Sequence, residues 1–151
     1  MTNKSHLTAI KRTKLSAPMQ WLKDKAMLGT GWLTLDYGCG KGDDAKALRI
    51  FAYDPYHFPN VIWALKEKWD VITCNYVLNT VDPIEATSIL QKIAAMLAPN
   101  GVAYISVRRD VKKDGFTKRG TYQRNVVLNL PVAYEKKNSF CIYRLDKTAI
   151  V

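Results

Sequence analysis

The sequence has no long apolar run, because no stretch approaches the ~20 apolar residues that a helix needs to cross a bilayer. Its first residues, MTNKSHLTAIKRTKLS, are polar and basic with no apolar segment behind them, which argues against a secretory signal. Cys39, Cys74 and Cys141 lie far apart, without a CxxC motif or a nearby histidine partner. We therefore predict a cytoplasmic protein with reduced cysteines, no metal site and no membrane partner.

The sequence also lacks internal repeats, low-complexity segments and any Pro/Gly/Ser-rich linker. Its 151 residues fit one domain with one hydrophobic core. We therefore predict a single domain over residues 1–151, in which residues 1–14 form a basic arm.

The net charge of +10 is unevenly distributed. Residues 1–25 carry six lysines and arginines against one aspartate, and residues 108–124 carry seven against two. These two segments account for the whole excess. Such clustering favours a polyanionic partner, because basic side chains that neutralise phosphates release counterions. The alternative is a charge that serves only solubility.

Short apolar segments that alternate with helical segments predict a mostly parallel sheet. The predicted strands are WLTLDYG, FAYD, WDVITCNYVL and GVAYISV. A first helix, MQWLKDKAM, follows a Ser16 cap and Pro18 and ends near Gly29; a second, DDAKALRI, is brief. The segments YQRNVVLNL and FCIYRL predict a C-terminal antiparallel hairpin joined through residues 135–138.

The third helix has the clearest boundaries. Asp82 is its predicted cap, Pro83 takes its first position, Glu85 stands at the capping-box offset, and residues 99–101 end it. Its predicted inner stripe comprises Ile84, Ile89, Ile93, Ala94, Met96 and Leu97.

The segment LDYGCGKGDD, residues 35–44, places three glycines directly after the first strand. Gly38 permits a tight turn, Gly40 lets a ligand approach the backbone, and Gly42 lets the next helix pack closely. The spacing matches neither the dinucleotide fingerprint nor a P-loop. Asp43 and Asp44, which follow, are poor neighbours for a phosphate, so they are either first-turn helix acids or contacts to a cationic group.

A second carboxylate, Asp54, stands at the end of the second predicted strand, where it suits the hydroxyls of a ribose. Together with DYGCGKG, it makes the chain resemble the class I methyltransferase superfamily from about Trp32 to Leu145. The resemblance implies a Rossmann-like fold, with S-adenosylmethionine as cofactor and S-adenosylhomocysteine as product. The cofactor-binding residues it implies are Asp36, Gly38, Cys39, Gly40, Gly42, Asp54, Pro55 and Asn75.

The segments AIKRTKLSAP, LDYGCGKGDD, YDPYH, CNYVLNTVDP and RGTYQR further resemble methyltransferases associated with DNA phosphorothioation systems, and their short phage-borne relatives. That resemblance implies a connection to DNA or RNA. Because no separate target-recognition domain is present, a protein partner for target recognition is also implied.

The segment CNYVLN is the candidate transfer site. Asn75 is predicted to hydrogen-bond an acceptor amine, and Tyr76 to stack on a base. Asn79 either contributes there or braces the following loop. Cys74 has no histidine to activate it, and neither His6 nor His57 is assigned a catalytic role. Tyr56 or Phe58 either covers the adenine or packs in the fold.

The segment RRDVKKDGFTKRGTYQR, residues 108–124, is predicted to be a flexible loop on the ligand side of the sheet. Its interleaved cations and aromatics favour nucleic-acid binding through phosphate contacts and stacking, and the alternative is a lid over the cofactor. The candidate substrate-binding residues are Arg108, Lys118, Arg119, Tyr122 and Arg124.

The predicted function is methyl transfer from S-adenosylmethionine to a nucleic acid. The alternatives are a small-molecule methyltransferase, or a non-catalytic module that binds S-adenosylmethionine or nucleic acid and needs a partner.

Overall fold

The computed structural model describes residues 4–148. Three α-helices flank the sheets: α1 (Ala17–Asp24), α2 (Asp43–Leu48) and α3 (Pro83–Met96). The strands are β1 (Thr34–Tyr37), β2 (Phe51–Tyr53), β3 (Trp69–Asn75), β4 (Leu97–Arg108), β5 (Gly115–Phe116), β6 (Tyr122–Gln123), β7 (Val132–Lys136) and β8 (Phe140–Asp146). Short 3-10 turns cover Ser5–Thr8, Pro59–Lys66 and Leu78–Thr80.

The main sheet has six strands in the order β2-β1-β3-β4-β8-β7. Strands β1 to β4 pair in parallel, whereas β8 runs antiparallel to β4, and β7 antiparallel to β8. The apolar side chains of β3 and β4 are almost all buried, as expected for central strands covered on both faces. The predicted mixed α/β fold with a closing hairpin is confirmed.

The helix α3 begins as predicted, because the side chain of Asp82 accepts a 2.8 Å hydrogen bond from the Glu85 N–H. Its predicted end near residue 99 is wrong: the helix ends at Met96, since Leu97 already pairs with Trp69. The prediction for Ile84 is also wrong, because this side chain is 84% exposed. Ile84 lies five positions before buried Ile89, and at about 3.6 residues per turn this spacing places Ile84 outside the core-facing stripe.

The helix α1 ends at Asp24, earlier than predicted, because Ala26 adopts a left-handed backbone with φ of 55° and the Met27 N–H returns to the Leu22 carbonyl. Ser16 stands at the N-cap position, but its hydroxyl donates to Asp44 instead of capping the helix.

The predicted hairpin has the wrong first strand. The antiparallel partner of β8 is β7, residues Val132–Lys136, and not residues 122–130. Asn138 adopts φ of 60° and makes the turn, which pairs Lys136 with Phe140. The polar residues of β7 are tolerated because it is an edge strand, with one row of its backbone groups facing outward.

The predicted flexible loop after β4 contains a small two-stranded ribbon, β5–β6. The rings of Phe116 and Tyr122 pack against each other across it, with centroids 5.3 Å apart. Between residues 4 and 148, no helix is long and apolar enough to cross a membrane.

Candidate functional site

A cavity of about 690 Å³ opens at the carboxyl ends of the parallel strands, and its volume is in the range typical of small-molecule sites. The strands β1 and β3 contribute Asp36 and Asn75 to its wall, and the first turns of α3 contribute Glu85. Six residues of the N-terminal segment also line the cavity: Ser5, His6, Thr8, Ala9, Ile10 and Arg12. The predicted cofactor-binding residues that line it are Asp36, Gly38, Cys39, Gly40, Asp54, Pro55 and Asn75.

The glycine turn leaves no room for side chains at two of its positions. Gly38 adopts φ of +73°, and a Cβ there would lie 2.5 Å from Cγ2 of Val77. Gly40 adopts φ of +58°, and its Cβ would lie 3.0 Å from that of Ala9. The N–H groups of Gly38 and Cys39 donate to the Tyr53 carbonyl at 2.7 and 3.0 Å, which ties the turn to β2. The turn therefore presents bare backbone to the cavity.

Gly42 does not line the cavity. It is buried at the N-cap of α2, where a Cβ would lie 2.8 Å from the Phe58 ring. The structure therefore gives Gly42 and Phe58 a packing role. Tyr56 does line the cavity, and it stacks on His6 with ring centroids 4.0 Å apart.

Backbone N–H groups of the protein occupy most of the hydrogen-bond acceptor positions of Asp54. Its Oδ2 accepts from the Gly40 N–H, and its Oδ1 accepts from the Tyr56 and His57 N–H groups, each at 2.9 Å. A carboxylate offers about four acceptor positions, so roughly one remains, on Oδ2. This carboxylate braces the glycine turn, and it can accept from one ribose hydroxyl while doing so.

Asp36 is buried beneath the glycine turn, and its Oδ1 accepts a 2.8 Å hydrogen bond from the Thr73 hydroxyl. Burial raises the pKa of Asp36 from 3.8 to about 7, against the opposing effect of the Thr73 hydrogen bond, and the charges of Asp44 and Asp54 raise it further. A cation in the cavity would favour the ionised form of this carboxylate.

Asp43 and Asp44 hold the N-terminal segment. The Oδ2 of Asp43 accepts from the Arg12 N–H at 2.7 Å, and buried Asp44 accepts from the N–H and the hydroxyl of Ser16 at 2.9 and 2.7 Å. Both carboxylates stand in the first turn of α2, which confirms the first of the two alternatives, and the contacts to Arg12 and Ser16 are an additional role.

Residues 4–14 of the predicted arm lie across the glycine turn, and residues 1–3 fall outside the described part. At its start, the Lys4 N–H donates to the Gly120 carbonyl at 3.3 Å, so the segment also reaches the ribbon. We call residues 4–14 the cover segment. Its Arg12 lines the cavity, a contribution that the local sequence pattern did not indicate.

The predicted transfer residues lie together at the end of β3. The Oδ1 of Asn75 accepts a 2.8 Å hydrogen bond from the Ser106 hydroxyl, so its amide NH₂ faces elsewhere. Tyr76 adopts φ of 61°, an uncommon backbone conformation for this residue type, and its N–H donates to the Ser106 carbonyl at 3.0 Å. Burial raises the pKa of the Tyr76 phenol and that of the Cys39 thiol, so neither is an anionic nucleophile at neutral pH.

Asn79 is buried outside the cavity wall, and it braces two segments that are remote in sequence instead of the loop that follows it. Its Oδ1 accepts from the Arg108 N–H, and its Nδ2 donates to the Arg124 carbonyl, each at 2.8 Å. Its own carbonyl accepts from the Arg124 N–H at 2.9 Å. The brace holds Gln123, the residue before Arg124, in the cavity wall. The local sequence does not single out Gln123 as a site residue, because it is positioned through the contact between Asn79 and Arg124, which lie 45 residues apart.

The predicted substrate-binding residues occupy different environments. Arg108 lines the cavity and pairs with Asp110 through two hydrogen bonds of 2.7 and 2.9 Å. Arg124 donates from Nε to the Val81 carbonyl and therefore contributes to the brace. Lys118 and Arg119 are exposed at the turn of the ribbon, outside the cavity wall. Tyr122 packs against Phe116 across the ribbon and is half-buried.

In comparisons with known proteins, the family described as "Methyltransferase domain" matches residues 19–139. No curated protein sequence matches the chain.

Solved structures share the fold at low sequence identity. One is the 1,6-didemethyltoxoflavin-N1-methyltransferase of Burkholderia thailandensis, crystallised with S-adenosylhomocysteine: 17% identity, 85% of this chain and 77% of that one, TM-score 0.58. A second is TehB of Haemophilus influenzae, with 12% sequence identity and a TM-score of 0.61 over 91% of this chain and 64% of that one. A third is the magnesium protoporphyrin IX methyltransferase of Synechocystis with bound S-adenosylmethionine. It has 15% sequence identity and a TM-score of 0.51 over 85% of this chain and 75% of that one.

Proposed function

We propose that this chain, which belongs to the methyltransferase domain family, methylates a base of DNA or RNA. It is an S-adenosylmethionine-dependent methyltransferase, with S-adenosylhomocysteine as the product. The acceptor and the residues that bind it are the proposed part.

The residues of the cavity fit this cofactor. The backbone of Gly38 and Gly40 lines the cavity, and buried Asp36 is a carboxylate without a cationic partner among the described residues. We expect Asp36 to offset the positive charge of the ligand, Arg12 to meet its carboxylate, and the remaining acceptor position of Asp54 to bind its ribose. When bound, the cofactor supplies a methyl group on a sulfonium, whose C–S bond breaks as the bond to the acceptor forms.

The protein itself needs little acid–base chemistry for this transfer, since positioning supplies most of the rate. Asn75 and Tyr76 lie beside each other at the end of β3, in the wall of the same cavity as the glycine turn. They are the residues that we expect to hold the acceptor.

The observation that carries the nucleic-acid proposal is the meeting of the two basic segments. The hydrogen bond from Lys4 to Gly120 joins the cover segment to the turn of the ribbon, where Lys118 and Arg119 are exposed. The cover segment carries four lysines and arginines and no acidic residue, and it meets the ribbon beside the cavity. Cations beside a cavity with a carboxylate-rich wall suit a phosphate backbone that stays outside while one base enters. The resemblance to methyltransferases of DNA phosphorothioation systems supports the same acceptor class.

The test is transfer of a radiolabelled methyl group to single-stranded and double-stranded DNA, to RNA and to small nitrogen heterocycles. For the double variant Lys118→Gln, Arg119→Gln, we expect nucleic-acid affinity to fall and its salt dependence to weaken, by about 0.7 in the log–log slope for each lost contact to a single strand. The matched control, Lys66→Gln with Lys68→Gln, removes two exposed cations before the start of β3, at the end of the strand away from the cavity, and should leave that slope unchanged. Identical slopes for all three proteins would contradict the proposal.

A small-molecule acceptor is the second candidate. The cover segment, which Asp43 holds through the Arg12 N–H, lines a cavity of about 690 Å³, a volume that suits a compact acceptor. Transfer to heterocycles but to no polymer would establish it. We propose that either reaction takes place in the cytoplasm. We also propose a protein partner for target recognition, which methyl transfer that appears only after the partner is added would support.

A further inference from the structure

Three buried side-chain polar atoms lack a hydrogen-bond partner among the described residues: His57 Nε2, Asn75 Nδ2 and Gln123 Oε1. Asn75 and Gln123 line the cavity, whereas His57 does not. An amide that is buried without a partner is costly, so two such groups in one cavity wall indicate that a ligand completes them.

The two groups are of opposite type. The oxygen of Asn75 is engaged by the Ser106 hydroxyl, which leaves its NH₂ group as a donor. The unpartnered atom of Gln123 is an oxygen, which accepts. A role in holding an N–H of the acceptor, which the sequence suggested for Asn75, therefore falls to Gln123.

The position of Gln123 is fixed relative to the transfer site. The backbone of its neighbour Arg124 makes two hydrogen bonds to Asn79. The Arg124 carbonyl accepts from Nδ2 of the Asn79 side chain, and the Arg124 N–H donates to the Asn79 carbonyl. Asn79 lies four residues after Asn75, and its Oδ1 also holds the Arg108 N–H at the end of β4. The ribbon strand β6 is thereby tied to the ends of β3 and β4.

We propose that Gln123 recognises the methyl acceptor, its Oε1 accepting from an N–H of the acceptor while Asn75 Nδ2 donates to a neighbouring ring nitrogen or carbonyl. This inference rests on the proposed function. Adjacent donor and acceptor atoms of this kind form the base-pairing edge of an unpaired nucleobase, as the exocyclic amine and ring nitrogen of adenine or cytosine do. Terminal amide torsions are soft, so both groups turn toward the ligand at little cost.

The experiment compares wild type with Gln123→Leu, which removes the acceptor atom, and Gln123→Glu, which retains one. Gln20→Leu, on an exposed position of α1 outside the cavity wall, is the matched control. Single-stranded DNA and RNA homopolymers of each base are the acceptors. Radiolabelled methyl transfer gives kcat and KM, calorimetry gives the affinity for S-adenosylhomocysteine, and anisotropy gives the affinity of that complex for each homopolymer.

We expect Gln123→Leu to lower kcat/KM on the preferred homopolymer by about tenfold to a hundredfold, and to weaken homopolymer binding, with unchanged affinity for S-adenosylhomocysteine. Gln20→Leu should remain close to wild type, and Gln123→Glu, which keeps an acceptor oxygen, should lose less activity than Gln123→Leu. If Gln123→Leu keeps wild-type kcat/KM and binding on every homopolymer, the role of Gln123 is overturned while nucleic-acid methylation stands. If the wild type neither methylates nor binds any homopolymer, the proposed function fails, and the role of Gln123 with it.

Discussion

Replacing Asp36 with asparagine should stabilise the protein without its cofactor and weaken cofactor binding. Asp36 is buried, and Asp44 and Asp54 add negative charge around it, so that its pKa rises from 3.8 to about 7. Asparagine has nearly the same shape and keeps an Oδ1 for the Thr73 hydroxyl. The substitution therefore removes the charge while retaining the hydrogen bond.

The sign and size follow from the two pKa values. The folded state binds the proton of Asp36 more tightly than the unfolded chain does, so ionising this group above about pH 7 destabilises the fold. A difference of about three pH units corresponds to about 4 kcal/mol at 1.36 kcal/mol per unit. We expect Asp36→Asn to raise the free energy of unfolding by up to about that amount near pH 8. The advantage should shrink as the pH falls from about 7 toward 4.

The assay is urea denaturation of wild type and variant across this pH range, without cofactor, together with calorimetric titration of S-adenosylmethionine. Asp24→Asn, at an exposed aspartate of α1, reports the effect of losing a surface carboxylate. Stability should rise while affinity falls, because a cation in the cavity favours ionised Asp36. An Asp36→Asn protein that is less stable than wild type at pH 8, or that keeps full affinity, would refute the reasoning.

Three further predictions each concern one residue and the contacts that it makes. Gly38→Ala should abolish S-adenosylmethionine binding in calorimetry, because its Cβ would lie 2.5 Å from Val77 at a left-handed φ, whereas wild-type affinity would contradict this. Asn79→Ala should lower the free energy of unfolding in urea by about 1–3 kcal/mol, since it leaves buried groups unpaired; no change would exclude the brace. Asp43→Ala should speed proteolysis of residues 4–14 by releasing the Arg12 N–H, and equal cleavage rates would argue against this anchor.

The parallel part of the fold was predictable because its signals are local. The apolar runs of β3 and β4 show buried strands, and Asp82 with Pro83 marks the start of α3. The register of the C-terminal hairpin was not predictable from apolar runs, because the left-handed conformation of Asn138 sets it. Polar residues therefore enter β7, which a search for apolar segments passes over.

The candidate site divides in the same way. The glycine turn and Asp54 follow strand ends, so their spacing along the chain predicts their position at the cavity. The cover segment and Gln123 depend on contacts over long sequence separations, such as Arg12 with Asp43 and Asn79 with Arg124. No periodicity or short motif carries such contacts. The ribbon likewise gives Arg124 a bracing contact that its charge did not suggest.

The decisive measurement is calorimetric titration of the purified wild-type chain with S-adenosylmethionine and S-adenosylhomocysteine. We expect one-to-one binding of both compounds in the micromolar range, and loss of S-adenosylmethionine binding in the Gly38→Ala protein. A wild-type chain that is folded by circular dichroism and yet binds neither compound would show that the cavity is not a site for this cofactor.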